Sequence, residues 1–199
     1  VGDLPGVVEK ADYIENLGVD VVWLSPVYDS PDIDNGYDVR DYRDVNSDLG
    51  DLDDFGDLVD EFHGKGIRVM MDAVFNHTSD QHDWFEASRN PDHPEHEKYR
   101  NFYHWSGDYP GEENDFTGHW SSVFHGGEKQ AWSYDDERGE HYLHRFHRGQ
   151  PDLNWGNQDV REEVYEKMSW WQEEYGIDGF RFDVANVLLG IEHAPVEDG

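Results

Sequence analysis

Two charged residues late in the chain have the spacing expected of a catalytic carboxylate and its partner. Arg181 and Asp183 are two positions apart, and in a β-strand this spacing places both side chains on one face. A neighbouring cation favours the ionised form of a carboxylate, which is the form that attacks as a nucleophile. The same spacing also suits an ion pair that only stabilises the fold. The pattern therefore predicts either a nucleophile or a structural pair at Asp183.

A second polar group ends an apolar run earlier in the chain. Asp72 lies within the run 69–74, and Asn76 and His77 follow it. A single histidine is more often a satisfied polar residue than a catalytic one. An Asn-His pair at a strand end facing a carboxylate, however, favours hydrogen bonding to a polar substrate.

The elements that must position these residues follow a repeated helix–glycine–strand pattern. The glycines are Gly18, Gly66 and Gly176, and the apolar runs that follow them are 21–25, 69–74 and 179–184. A glycine after a helix supplies the left-handed residue that ends it, and Asp51 and Asn157 are predicted N-caps of the second and third helices. This alternation is typical of a parallel α/β protein.

The polar residues lie where the predicted strands end, which is where parallel α/β proteins place their active sites. Between His77 and Asn154 the alternation gives way to a stretch rich in His, Trp, Tyr, Gly and Asp. So long an interruption predicts an inserted, functional subdomain. We therefore predict part of a barrel over 1–76 and 155–199, with an inserted domain over 77–154.

The charge of the chain excludes several classes of protein. Among 199 residues, 46 are acidic and 15 are basic, which gives a formal net charge of −31. Such a chain repels phosphates and anionic lipids, so we expect neither a nucleic-acid nor a membrane partner. The absence of cysteine excludes a disulfide scaffold. The acidic excess predicts either ordinary solubility or adaptation to high salt, and the 5 Lys beside 10 Arg favour a halophilic protein.

Four motifs resemble the α-amylase superfamily of glycoside hydrolases. Segments 72–77 (DAVFNH) and 179–183 (GFRFD) resemble its first two signature regions. Segments 150–155 (QPDLNW) and 35–38 (NGYD) resemble its oligo-1,6-glucosidase and α-glucosidase branch. The resemblance implies an α/β fold, namely a partial (β/α)8 TIM barrel with a domain B inserted after the third barrel strand.

The same resemblance implies an enzyme. The expected activity is retaining hydrolysis of short α-glucosides from the non-reducing end through a covalent glucosyl-enzyme, with α-1,6 linkages favoured. Alternatives are a trehalose-phosphate hydrolase, a sucrose-isomerising relative, and a non-catalytic barrel used for partner binding. A binding-only barrel needs no ionised nucleophile, and this favours the enzyme.

Individual roles also follow from the resemblance. Asp183 matches the nucleophile, Arg181 its orienting partner, and Val184 a position where Val accompanies α-1,6 preference. The acid/base Glu would lie beyond Gly199. The residues matched to sugar contacts are Tyr37 for stacking, Asp38 and His77 for hydrogen bonds, and Phe124, Phe146 and Gln150 from the inserted domain.

The implied reaction requires no cofactor. Asp3 matches the last residue of a loop that binds Ca²⁺ or Mg²⁺ in the family, although one carboxylate is a weak signal of a structural ion. The expected partner is a small oligosaccharide or disaccharide. No apolar segment is long enough for a transmembrane helix. The expected localisation is cytoplasmic.

Overall fold

The computed structural model describes residues 2–107 and 131–188 of the chain, and these divide into two compact units. Unit 1 consists of 2–74 and 163–183, and unit 2 consists of 75–107, 131–162 and 184–188. In chain order the elements are α1 (Leu4–Glu9), α2 (Ala11–Asn16), β1 (Val21–Trp23), β2 (Tyr28–Asp29), β3 (Asp41–Val45), α3 (Leu52–Gly64), β4 (Arg68–Ala73), α4 (Asp83–Arg89), α5 (His96–Tyr99), β5 (Trp105–Ser106), β6 (Trp132–Asp135), β7 (Glu140–Leu143), α6 (Gln158–Tyr175), β8 (Gly179–Phe182) and a 3₁₀ turn (Ala185–Val187).

A parallel sheet in the order β1–β4–β8 forms the framework of unit 1. In its register Trp23 lies opposite Met70, and Asp72 lies opposite Arg181. Each predicted strand is therefore present. β1 and β8 are shorter than their apolar runs, while β4 is as long as its run and begins one residue earlier. β8 ends at Phe182, so Asp183 lies just after the strand, where its N–H donates to the Ala73 carbonyl at 3.2 Å.

The helix ends follow the predicted signals. The three predicted glycines, Gly18, Gly66 and Gly176, all have left-handed φ, at 75°, 73° and 68°. Asp51 caps α3 by accepting hydrogen bonds from the N–H groups of Asp53 and Asp54, both at 3.0 Å. Asn157 Oδ1 accepts from the Asp159 N–H at 3.0 Å, as a cap of α6 requires.

The first predicted helix is interrupted. The backbone leaves the helical region at Lys10, with φ −101° and ψ 4°, so that α1 and α2 replace one continuous helix. The preceding turn contains Gly6, Val7 and Val8, which all have low helix propensity.

Aromatic residues fix the strand that carries Asp72. The Tyr28 hydroxyl donates to the Asp72 carbonyl at 2.9 Å, and the Tyr42 hydroxyl donates to the Val74 carbonyl at 2.7 Å. Trp171 of α6 is buried against both tyrosines, since its indole N–H donates to the Tyr42 carbonyl at 2.7 Å and its ring lies 5.8 Å from that of Tyr28. The position of β4 therefore depends on specific aromatic contacts as well as on the sheet.

Unit 2 contains an antiparallel sheet in the order β5–β7–β6 and the short helices α4 and α5. Tyr142 and Leu143 belong to β7. Two isolated bridges, His77–Asp152 and Tyr103–Leu153, pair the start of the unit with the QPDLN segment. We keep the domain limits 1–76, 77–154 and 155–199 as a prediction. Within the described residues, no helix is both long enough and apolar enough to cross a membrane.

Candidate active site

Four side chains of unit 1 form a cluster around one guanidinium, called here the Arg181 cluster: Tyr37, Asp72, Arg181 and Asp183. Arg181 Nη1 lies 3.1 Å from both carboxylate oxygens of Asp72 and 2.6 Å from Oδ1 of Asp183. The Tyr37 hydroxyl donates to Asp72 Oδ2 at 3.1 Å. The structure therefore brings together three residues predicted from the sequence, and it adds Asp72 as their common anchor.

Burial differs sharply across this cluster. The Asp72 side chain is fully buried, that of Asp183 is 16% exposed, and that of Arg181 is 40% exposed. Burial raises the pKa of Asp72, although hydrogen bonds from Arg181 and Tyr37 offset part of the shift. Burial and the Asp72 charge together raise the pKa of Tyr37 to about 12, so the phenol remains a hydrogen-bond donor. Asp183 is thus the more accessible carboxylate of the cluster. It lies beside the Arg181 cation, which the buried carboxylate of Asp72 holds.

Asp38 has a different environment from the one its predicted role suggests. It is fully buried, and its two carboxylate oxygens accept the backbone N–H groups of Ile33 and Asp34, both at 3.0 Å. The loop it holds contains two left-handed residues, Asn35 (φ 51°) and Gly36 (φ 89°), directly before Tyr37. In the structure Asp38 fixes the loop that carries Tyr37, and its contact with a sugar stays a prediction.

Three of the residues predicted for sugar contacts meet in unit 2. The His77 ring centre lies 5.1 Å from that of Phe146, with the planes tilted by 53°. Gln150 Nε2 lies 3.2 Å from His77 Nε2, and Gln150 Oε1 accepts the His147 backbone N–H at 3.0 Å. His77 and Gln150 are both buried.

A buried ion pair lies next to this group and was not predicted. Arg145 Nε is 2.9 Å from Asp152 Oδ2, with side chains only 5% and 2% exposed. Asp152 Oδ1 accepts from Asn76 Nδ2 at 3.2 Å, and Asn76 Nδ2 also lies 3.1 Å from His77 Nδ1. Arg145 Nη1 donates to the carbonyl of Val187. Burial raises the pKa of Asp152 and lowers that of Arg145.

Val184, the residue predicted to influence linkage preference, has an unusual backbone conformation. It caps the 3₁₀ turn with φ 39° and ψ 37°, in the left-handed region. For a β-branched residue this conformation is strained, and such strain concentrates at functional sites. Val184 is partly exposed and lies beyond the end of β8.

Two predicted residues remain, Phe124 and Asp3. Phe124 lies outside the described residues. Asp3 caps α1, with Oδ1 accepting the Gly6 N–H at 2.7 Å, and it lines a cavity of about 660 Å³ with Asn46 and Asp48. Within the described residues, no three His, Asp or Glu side chains converge as a metal site. A structural Ca²⁺ or Mg²⁺ at Asp3 stays a prediction, and no step below uses one.

Some of these features lacked a local signal in the sequence. Trp23, whose ring centre lies 4.9 Å from Arg181 Cζ, belongs to an apolar run typical of a buried strand. Arg145 and Asp152 are seven residues apart in an irregular segment. Only the position of Asp152 within the QPDLN motif marked it as more than a surface carboxylate.

The sequence of this chain is similar to known proteins over nearly its whole length. The family model described as the catalytic domain of alpha amylase matches residues 1–198. An oligo-1,6-glucosidase of Halalkalibacterium halodurans is 47% identical over 98% of this chain and 33% of its own length. A trehalose-6-phosphate hydrolase of Bacillus subtilis is also 47% identical, over 100% of this chain and 34% of its own length. The chain thus spans about a third of the length of the curated relatives it matches.

Solved structures agree with these matches. The crystal structure of a trehalose-6-phosphate hydrolase of Bacillus licheniformis has a TM-score of 0.83 and 46% identity, over 94% of this chain and 32% of that one. A trehalulose synthase has a TM-score of 0.81 and 43% identity, over 92% and 31%. These findings confirm the predicted fold class, a partial (β/α)8 barrel.

Proposed function

This chain belongs to the alpha-amylase catalytic-domain family, and on that premise we propose that the protein carrying it is a retaining glycoside hydrolase of short α-glucosides. One observation carries the proposal: Arg181 holds the carboxylate of Asp183 at 2.6 Å, while buried Asp72 anchors the same guanidinium nitrogen. A carboxylate held in this way is oriented and stabilised as the anion that a nucleophile must be.

Asp183 is the nucleophile in this proposal. Its carboxylate attacks the anomeric carbon, a C–O bond forms to Asp183, and the bond to the leaving-group oxygen breaks. A second carboxyl group, which we expect beyond Gly199, donates a proton to that oxygen. Water then attacks the glucosyl-enzyme, loses its proton to the same group, and releases glucose with the original anomeric configuration.

Arg181 and Tyr37 support this chemistry through charge. Arg181 bonds to one oxygen of Asp183, Oδ1, so the second oxygen lies outside this hydrogen bond. Asp72, whose side chain is fully buried, holds the cation through its own two contacts to Nη1. Tyr37 donates to Asp72, and the face of its ring suits the apolar C–H face of a glucose.

The residues of unit 2 are proposed as sugar contacts. His77 and Gln150 supply polar atoms and Phe146 an aromatic face, the combination that sugar sites use. The preference for α-1,6 linkages rests on Val184 alone. Its branched side chain is stiff, and its backbone is in the left-handed region, a type of strain that concentrates at functional sites.

Trehalose-6-phosphate hydrolysis is the second candidate. A relative with that name matches 100% of this chain at 47% identity, as close a match as the oligo-1,6-glucosidase gives. The same nucleophile serves both reactions, so the substrate must decide between them.

The test is the full-length protein supplied with isomaltose, maltose, trehalose-6-phosphate and sucrose in turn. We expect isomaltose to have the largest kcat/KM, and proton NMR of early time points to show the α-anomer of glucose forming first. Early β-glucose would contradict the retaining mechanism, because inversion needs no covalent intermediate. Trehalose-6-phosphate as the best substrate would favour the second candidate instead.

The role of Val184 is tested by Val184→Thr, which keeps the branched shape and replaces one methyl group by a hydroxyl. A change of about one methyl group in a substrate pocket alters the discrimination between two substrates by roughly 1–3 kcal/mol. We therefore expect the isomaltose-to-maltose ratio of kcat/KM to fall by about fivefold or more. An unchanged ratio would show that Val184 has only a structural role.

A further inference from the structure

We propose that Trp23 is a positioning residue that holds the Arg181 guanidinium in the orientation in which it presents Asp183 for reaction. Arg181 Cζ lies 4.9 Å from the centre of the Trp23 ring. A guanidinium at this distance from an aromatic face makes a cation–π contact, and tryptophan is the strongest aromatic partner. The inference rests on the proposed function, because it assigns a role in the same reaction.

The hydrogen bonds of Arg181 leave one motion of its guanidinium unrestrained. In the described part of the chain, its bonds to both oxygens of Asp72 and to Oδ1 of Asp183 all run through Nη1. A planar group held at a single nitrogen can still turn about it. Such a turn would lengthen one carboxylate contact while keeping the other, so the carboxylates alone do not fix the direction of Asp183.

The sheet brings the Trp23 ring to the place where it restricts this motion. Trp23 is in register with Met70 of the central strand, and Arg181 is in register with Asp72. Met70 and Asp72 are two residues apart, so all four side chains leave the same face of the sheet. Because β1 and β8 flank β4, their backbones are roughly 10 Å apart. Only a large side chain can cross that distance.

A glycine on β8 leaves room for the contact between the Trp23 indole and the Arg181 guanidinium. Gly179 is in register with Met70, one side-chain repeat before Arg181 on the same strand. It has no side chain to separate the indole from the guanidinium, and Met70 Cε lies 3.8 Å from the point a Cβ would occupy. Trp23 is 47% exposed and the Arg181 side chain is 40% exposed, so the ring acts by contact and not by shielding the cation from water. It covers one face of the guanidinium and thereby limits its rotation.

Two substitutions separate the aromatic face from simple bulk. In the full-length protein, Trp23→Phe keeps a smaller aromatic face and Trp23→Met keeps apolar volume without one. We expect kcat for an α-glucoside to fall by about threefold to thirtyfold in Trp23→Met and by less in Trp23→Phe. KM should change little, because Trp23 acts through Arg181 and not on the sugar.

The matched control is Trp170→Met in the same unit. Arg43 Cζ lies 5.5 Å from the Trp170 ring, which is the same type of contact away from the Arg181 cluster. We expect kcat and KM of this variant to stay within about twofold of wild type. An equal loss in both methionine variants would show that removing any such indole harms the enzyme and would overturn the specific role.

The decisive experiment places tryptophans with one to three ring fluorines at position 23. Fluorine weakens the ring's attraction for cations and hardly alters its size, so log kcat should fall in steps along the series. A flat series in an active enzyme would overturn the inference, since a role in packing alone predicts no trend.

A measurement that needs no catalysis separates this inference from the proposed function. Rotation of the Arg181 guanidinium, followed by NMR of labelled arginine, should be faster in Trp23→Met than in wild type. If the wild-type protein hydrolyses no α-glucoside, the proposed function fails, while the NMR result still decides whether Trp23 restrains Arg181. Equal rotation rates would contradict the restraint directly.

Discussion

Arg181 in unit 1 and Arg145 in unit 2 each hold an aspartate, but their surroundings are opposite. The Arg145–Asp152 pair is almost wholly buried, with side chains 5% and 2% exposed. Arg181 is 40% exposed and is shared between a buried carboxylate and the more accessible one of Asp183. The same two residue types thus form one closed pair and one open cluster.

The difference indicates what each pair does. In the closed pair, burial disfavours both ions, raising the pKa of Asp152 and lowering that of Arg145, so the pair depends on its internal contacts. Those contacts link Asn76, Asp152 and the carbonyl of Val187, which belong to three separate segments of unit 2. In the open cluster, buried Asp72 anchors the cation, and Asp183 is left with access to a substrate. The closed pair therefore suits stability, and the open cluster suits chemistry.

The largest expected effect is on the open cluster. Asp183→Asn keeps the shape of the side chain but removes the nucleophile, and in the full-length protein we expect kcat to fall by roughly 10⁴-fold, about 5 kcal/mol in the barrier. The melting temperature should change by only a few degrees. Near-normal turnover in this variant would show that Asp183 forms a structural pair, and the contrast with Asp152 would then disappear.

Removing the cation of the closed pair should affect stability instead. Arg145→Met leaves Asp152 buried without its partner, which lowers the free energy of unfolding by about 3–5 kcal/mol. The pKa of Asp152 is already raised by burial and rises further without Arg145. Protonation relieves the penalty at low pH, so the loss measured by urea unfolding should be larger at about pH 8 than at about pH 5.

Two further variants control this experiment. The double variant Arg145→Met with Asp152→Asn removes both charges, while the amide oxygen of Asn can still accept from Asn76 and from the backbone N–H of residue 145. It should recover most of the lost stability, because no unpaired charge remains. Arg100→Met removes an exposed partner of Glu97, with side chains 49% and 83% exposed, and should cost about 0–1 kcal/mol. A loss in Arg145→Met no larger than that in Arg100→Met would show that the buried pair does not stabilise unit 2.

A smaller effect concerns a histidine near the closed pair. Burial, helped by the charge of Arg145, lowers the pKa of His104 from 6.5 to about 4. Between these values the unfolded chain binds a proton that the folded chain excludes, so stability falls as the pH drops. The shift corresponds to about 3 kcal/mol at most.

His104→Gln removes this titration. We expect the variant to lose less stability than wild type between about pH 7 and pH 4.5, as measured by urea midpoints. Asp152 contributes equally to both proteins and cancels in the difference. Parallel pH profiles would show that folding does not exclude a proton from His104. They would also contradict the effect of the Arg145 charge on the pKa of His104.

The sequence predicted the elements better than the contacts between them. Left-handed glycines, the Asp51 cap and the apolar runs act locally, so the strands and helix ends could be read from neighbouring residues. The Arg181–Asp183 pair could also be predicted, because residues two apart on a strand have their side chains on the same face. Asp72 was visible at a strand end, but its role as anchor depends on the register between β4 and β8, which no local pattern specifies.

The remaining site features depend on long-range contacts. His77 and Gln150 are 73 residues apart, and Trp23 reaches Arg181 from a strand that is not its neighbour in the sheet. Buried Arg145 could not be recognised either, since an arginine in a polar, irregular segment is normally exposed. The strain at Val184 likewise arises where the chain leaves β8, and an apolar run gives no sign of it.

The most direct test of the central claim, that Asp183 is the nucleophile of the open cluster, is to trap the covalent intermediate. The full-length protein would be treated with 5-fluoro-α-glucosyl fluoride, digested and mapped by mass spectrometry. We expect one added fluoroglucosyl group, on Asp183, and none on Asp72, on Asp152 or in the Asp183→Asn variant. A stable adduct on a different carboxylate, or inactivation without any adduct on Asp183, would contradict that claim.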